Sequence, residues 1–297
     1  MSGQLKEVRE RITSVKSTQQ ITKAMKMVSA AKLRKAQQAI TEMRPYADRL
    51  NKMLINILSN LEGGANTSYG TEREINHVAI AIVTSSKGLC GAFNANITKA
   101  AIARIEGEYD AQAQAGNLTI LGLGKKGFEV LKKRYPNLNY VDDHVGIFSN
   151  LTYETISEAS SHLMEGFLDG TYDKVEVCYG EFKNAALQFP KAVPFLPVPK
   201  LENEENVTLS KADYIFEPSK EELLEQLIPS ILQTTFQKYV LDTHASEHGA
   251  RMTAMDSATE NAEELMKDLK KTYNKARQEA ITKELSEIVG GAAALAG

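Results

Sequence analysis

The chain has 297 residues, 42% of them hydrophobic, a net charge of −3 and only two cysteines, Cys90 and Cys178. That is enough for a packed domain plus an extension, but no run of about 20 apolar residues is present to cross a bilayer as a helix. Two isolated cysteines outside any CxxC pair speak against a disulfide framework and for a reducing compartment.

The opening MSGQLKEVRERI lacks the apolar stretch of a secretory signal, and Glu7 and Glu10 are unlike a transit peptide, so neither is expected. From Gln4 an apolar stripe of Leu5, Val8, Ile12 and Val15 advances in steps of three and four, as on an amphipathic helix. The same frame then meets Gln19, Thr22, Lys26 and Ser29, while apolar residues move to Ile21, Met25 and Val28. The stripe is therefore expected to slip sideways around the helix. A heptad returns with Ile40, Met43, Ala47, Leu50, Leu54, Ile57 and Leu61. Pro45 interrupts it and should bend the helix or open a fresh first turn. Gly63-Gly64 closes this first arm, residues 1–62.

A central block, residues 66–210, has a different pattern. His77–Ser86, Asn117–Leu123 and Lys174–Phe182 are continuous apolar runs of strand length, as expected of strands buried on both faces. Helical patterns at Asn94–Tyr109, Gly127–Tyr135 and Tyr153–Leu168 separate them. Strand alternating with helix predicts a mainly parallel, Rossmann-like sheet. Ala192–Val198 can add only an edge strand, because its prolines cannot donate to two neighbours. Pro199–Ser210 is a polar linker. With its own buried strands, this block is expected to fold alone.

The second arm, residues 217–297, begins near Glu217-Pro218, where Ser219 can cap a helix. Pro229 should kink or break it. Beyond lies a 3/4 series: Leu241, Ala245, His248, Met252, Met255, Thr259, Ala262, Met266, Leu269, Tyr273, Ala276 and Ala280. So much alanine and methionine suits close packing against an irregular antiparallel partner, whereas a leucine zipper would carry Leu and Ile. At 1.5 Å per residue each arm would span roughly 80–100 Å, several times the radius of a domain of ordinary size. Residues 1–58 hold twelve Lys/Arg against four Asp/Glu, and residues 217–297 nine against fourteen. Arms of opposite charge favour pairing with each other. The predicted fold is α/β: a long antiparallel coiled coil from the N- and C-terminal helices plus a central Rossmann-like parallel-sheet domain.

Four motifs suggest other chemistry. Gly122, Gly124 and Gly127 spell GxGxxG between a strand and a helix, with Asp142 and Asp143 about 20 residues on, which is the best argument for a nucleotide-dependent oxidoreductase. The motif follows the second strand, however, and glycines also close ordinary turns. His244, Glu247 and His248 spell HxxEH, a zinc-protease pattern, but inside the longest helix and with no third ligand in view. Arg11–Thr41 carries seven basic residues and no acid, which could grip nucleic-acid phosphates. Without interleaved aromatics, a partner-facing basic surface is the better reading, and no nucleic acid is expected. Ser85–Gly91 has the composition of a phosphate loop but not its spacing.

The segments Ile12–Gln37, Thr84–Asn94 (TSSKGLCGAFN), Ser246–Ala262 and Tyr273–Leu295 resemble the γ-subunit family of rotary F-type ATP synthases. The pattern Ile281-Thr282-x-Glu284-x-x-Glu287-x-x-x-Gly291-Ala292-x-Ala294 carries the resemblance most specifically, and the likeness covers essentially the whole chain. Lys87 stands where the family often has Asp or Arg. The resemblance implies an asymmetric shaft inside a ring of α and β subunits, with catalysis left to β and neither cofactor nor metal in this chain. It implies a foot on the ε subunit and the membrane c-ring, at the cytoplasmic face of a bacterial inner membrane. Carried over residue by residue, Met25, Lys26, Arg251, Gln278, Thr282, Glu284 and Glu287 would bear on β, and Ile288–Ala296 would form a pivot. The chloroplast type carries an inserted cysteine pair that is absent here, so thiol control is not expected.

Overall fold

The computed structural model describes residues 2–59, 68–198 and 220–296. The expected Gly63-Gly64 stop, the 199–210 linker and the Ser219 cap lie outside them. Helix α1 (Ser2–Ser59) opens the chain and helix α6 (Lys220–Ala296) closes it. Between them come β1 (Val78–Val83), α2 (Phe93–Glu108), α3 (Asp110–Gln114), β2 (Leu118–Leu123), α4 (Lys125–Arg134) and β3 (Asn139–Val141). A 3-10 turn at Ile147–Ser149, α5 (Tyr153–Leu168), β4 (Lys174–Phe182) and β5 (Gln188–Leu196) follow. The chain divides into two units. One comprises Met1–Ser29 with Met252–Gly297, the other Ala30–Arg251.

In the larger unit the five strands lie in the order β3-β2-β1-β4-β5. The first four are parallel, and β5 runs antiparallel at the edge, where Pro190 and Pro194 are tolerated. The sheet is thus doubly wound. Alternate residues of each strand feed opposite cores, as a period of two requires. Ile80, Ile82, Ile120 and Cys178 pack with Phe93, Ile97 and Ile105 of α2 and with Phe128 and Leu131 of α4. Ala81, Leu121, Val175 and Val177 pack on the other side with Ile156, Leu163 and Phe167 of α5. Helix α5 starts where Thr152 and Thr155 form a capping box that satisfies first-turn donors.

The second core also contains Ile228, Leu232, Phe236 and Val240 of α6, all 6% exposed or less. Residues 66–210 therefore do not close their own core. A helix from beyond the linker covers part of one sheet face. In the opposite core, Glu176 of β4 is fully buried and receives two hydrogen bonds from the Arg104 guanidinium, at 2.8 and 2.6 Å, and one from the Tyr109 hydroxyl at 2.5 Å. A carboxylate so deep is tolerable only with donors of this number and quality.

Neither proline ends its helix. Both Pro45 and Pro229 lie inside their helices, which continue through them. At Pro229 the buried Ile228 and Leu232 anchor the chain on both sides, so packing outweighs the lost backbone hydrogen bond.

Candidate partner-binding surface

In the smaller unit, α1 and α6 pair antiparallel. The Thr22 and Thr259 hydroxyls share a hydrogen bond of 2.8 Å, and Lys26 forms an ion pair with Asp256. One index rises as the other falls. On α6 the predicted seam is the buried one: Met255, Ala262, Leu269 and Ala276 are buried, with Thr259, Met266, Tyr273 and Ala280 half-buried between exposed neighbours.

On α1 the seam corrects the expectation of a slipped stripe. The original frame continues inward through Gln19, Thr22, Lys26 and Ser29, and Thr22 and Ser29 are only 8% and 3% exposed. Of the apolar residues that leave the frame, Ile21 and Val28 face outward, 59% and 56% exposed, and Met25 is half-buried. Two of these polar seam residues find partners, Thr22 on Thr259 and the Gln19 carbonyl, Lys26 on Asp256. On α6 a second outward stripe is formed by Ile281, Leu285 and Ile288, each about half exposed or more. Exposed apolar rows of this kind mark a surface that another protein covers.

The residues expected to bear on a partner fall into two groups. Gln278, Thr282, Glu284 and Glu287 are exposed on α6, the last within 3.7 Å of Lys283, and Met25 is half-buried. Lys26 spends its charge on Asp256 within the chain. Arg251 does not reach outward at all. Only 7% exposed, it pairs with Glu247 at 2.7 Å and donates to the carbonyls of Lys87 and Gly88 at 3.0–3.2 Å. It holds the turn after β1, where Leu89 adopts φ 62° and stands 64% exposed. Sequence reasoning missed this inward role, because one arginine on a helix gives no sign of which way it points.

The HxxEH spelling belongs to the same cluster. The Nε2 atoms of His244 and His248 lie 3.1 Å apart, His244 stacks on Phe148, and Glu247 is committed to Arg251. Among the described residues no group of three potential ligands is poised for a metal. Burial pushes the two imidazoles down to about 4 and about 3, with Arg251 and Lys32 opposing a charge on either. Both are neutral at pH 7.

The GxGxxG glycines serve packing. Gly124 has φ 93°, and a Cβ there would sit 1.7 Å from the Thr84 carbonyl oxygen. One at Gly127 would strike Thr84 and Ile82. The first-turn donors of α4, which would hold a pyrophosphate in a dinucleotide fold, are already used. The Lys126 amide donates to the Ser85 carbonyl and the Gly127 amide to the Thr84 hydroxyl. The crevice at the switch point between β1 and β4, where such folds bind ligands, is filled by α6. The Gly180 amide donates to Thr243, and Ser246 donates to the Gly180 carbonyl. The glycine motif is thus spent on packing, and the Lys126 and Gly127 amides are not free to hold a pyrophosphate.

A family model described as ATP synthase matches residues 4–295. The ATP synthase gamma chain of Cytophaga hutchinsonii is 54% identical over 98% of both chains. This chain belongs to the ATP synthase gamma chain family. The gamma chain of Flavobacterium johnsoniae is 52% identical over 99% of both. Among solved structures, a chain of the Euglena gracilis mitochondrial ATP synthase in rotational state 3 superposes with TM-score 0.68 at 21% identity, over 99% of this chain and 95% of that one. A chain from the central stalk and c-ring of the Tetrahymena thermophila enzyme superposes at 0.57 and 23% identity, over 80% and 99%. The gamma chain is the central-stalk subunit of the synthase, a rotor part rather than a catalytic one. The antiparallel pairing of α1 and α6 in the smaller unit suits that role.

Proposed function

We propose that this gamma chain turns inside a ring of α and β subunits and bears on β through the outward faces of its paired arms. The observation that carries this reading is the apolar row of Ile281, Leu285 and Ile288 on α6, about half exposed or more among the described residues. Gln278, Thr282, Glu284 and Glu287 supply contacts around it, while Met25, Ile21 and Val28, level with Asp256 and Thr259, bear on the ring farther along the coil. Lys26 contributes with the part of its side chain left exposed by Asp256. Arg251 acts as a positioning residue that fixes the turn bearing Leu89. The ε subunit and the membrane c-ring take the foot, at the cytoplasmic face of the bacterial inner membrane. Attachment there is through the complex, since no described helix is long and apolar enough to cross a membrane.

The mechanism follows from asymmetry. A shaft whose two outward stripes differ presents a different face to each β subunit, so the three sites adopt different conformations. Turning the shaft exchanges them. Because coupling is reciprocal, hydrolysis at β drives rotation, and rotation driven by ion flow drives synthesis.

The test ties the shaft to its surroundings. A cysteine at Ser286, oxidised to one on a facing β loop, should abolish steady ATP hydrolysis although no catalytic group is touched. Reduction should restore it by thiol exchange. Undiminished multi-turnover hydrolysis with the crosslink complete would rule out obligatory rotation of α6.

A further inference from the structure

A cavity of about 480 Å3 lies within the larger unit, between α1, the β4–β5 hairpin and α6. Its volume falls in the ~300–1,000 Å3 range of small-molecule sites. Ile40 and Met43 of α1 and Phe182 and Phe189 of the hairpin give it an apolar, partly aromatic wall. Asp242 of α6 also lines it, only 6% exposed and with no hydrogen bond or ion pair to any described residue.

Every other charged group on the wall is solvated or engaged. Glu181 of β4 pairs with Lys191 at 3.8 Å, and the Lys183 ammonium stands 5.9 Å over the Phe189 ring. Arg44 and Asp48 of α1 and Lys238 of α6 are exposed on the rim. Burial pushes the Asp242 carboxyl up to about 6, and the nearby charges of Lys238 and Arg44 offset this only in part. Above that pH the cavity therefore holds a largely buried negative charge that Lys238 and Arg44 face only from a distance, a state that a closer cation would stabilise. A divalent metal would need several oxygen ligands, and no group of three potential ligands is poised for one among the described residues.

We propose that this cavity binds a small organic ammonium, its cationic head on Asp242 and its apolar body against Phe182 and Phe189. The carboxylate attracts the head through a charge-assisted hydrogen bond, and the aromatic wall shelters the apolar body from water. The inference is independent of how the arms meet their partners.

The experiment uses the purified synthase containing this chain, with phenethylamine as probe and 2-phenylethanol and phenylacetate as neutral and anionic isosteres. Calorimetric titration should show one saturable phenethylamine site per gamma chain that the isosteres do not occupy. Asp242→Asn, which keeps the shape, should weaken phenethylamine by at least about tenfold, as expected for loss of one charge-assisted hydrogen bond. Phe189→Ala, at an exposed position that the fold does not need, should weaken phenethylamine but leave methylamine unaffected. Lowering the pH through 6 should weaken the wild-type site and leave Asp242→Asn unchanged. Equal binding of 2-phenylethanol, undiminished affinity in both variants, or no saturable site at all would overturn the proposal.

Discussion

Thr22 and Thr259 hydrogen-bond across the paired arms, Oγ1 to Oγ1 at 2.8 Å, at a position where a simple coiled coil would bury two aliphatic side chains. Each hydroxyl also bonds to its own helix, Thr22 to the Gln19 carbonyl and Thr259 to the Met255 carbonyl. The two hydroxyl protons serve two of these three contacts at a time, one across the seam and one to a helix carbonyl, and each oxygen keeps a partner, which is how a polar layer survives in a seam. Thr22→Val should cost about 1 kcal/mol, the usual net worth of such a bond. Thr22→Val with Thr259→Val should recover most of it by making the layer apolar. Denaturant unfolding of the full chain, followed by helical circular dichroism, would refute this if the double variant were the weaker one.

Ile21 and Val28 face away from the seam, so changing them should spare the chain and harm the complex. Ile21→Gln with Val28→Gln should alter stability by less than about 0.5 kcal/mol. If a partner buries both side chains, roughly 1.5–3 kcal/mol each is lost from association. Dissociation of the chain from its ring should then accelerate at least tenfold. An unchanged dissociation rate would remove these residues from the bearing surface.

The buried pair His244 and His248 makes the Arg251 cluster sensitive to acid. Their folded-state values of about 4 and about 3 lie below the usual 6.5 because burial and neighbouring cations disfavour the charged forms. The unfolded chain thus binds more protons between those values. Stability from this source is complete above pH 6.5 and lost as pH falls through 6.5 towards 4. Asp242 works in the opposite sense over pH 4–6, since its folded-state value is raised. His248→Gln isolates the histidine contribution. The drop in melting temperature between pH 7.5 and 5 should be several degrees smaller in that variant than in the wild type, and equal drops would contradict the assignment.

The fragment Asn66–Ser210 lacks Ile228, Leu232, Phe236 and Val240, four side chains of the core on one sheet face. At roughly 1.5–3 kcal/mol each, their absence removes about 6–12 kcal/mol, comparable to the whole stability of a domain. Expressed alone, the fragment should bind a hydrophobic dye and melt without a cooperative transition. A sharp calorimetric peak would show that the sheet closes without α6.

The sequence by itself determined the parts whose side chains bury against anything apolar. The α6 seam from Leu241 to Ala280 was legible because its periodicity does not depend on the partner's identity. The strands β1, β2 and β4 were legible because parallel strands covered on both faces are apolar throughout. Strand β3, three residues at an exposed edge, left no such run, and β5 began earlier than its prolines suggested. Only the tertiary structure decided which face of α1 turns inward. Thr22 and Ser29 can be buried solely because α6 supplies a hydroxyl and close packing opposite them, and Ile21 and Val28 are then left outside. The same holds for Arg251, whose guanidinium points inward because the carbonyls of Lys87 and Gly88, distant in sequence by more than 160 residues, lie within reach. A pattern along one helix records how apolar each position is. Where a polar residue finds its partner is a property of two segments brought together.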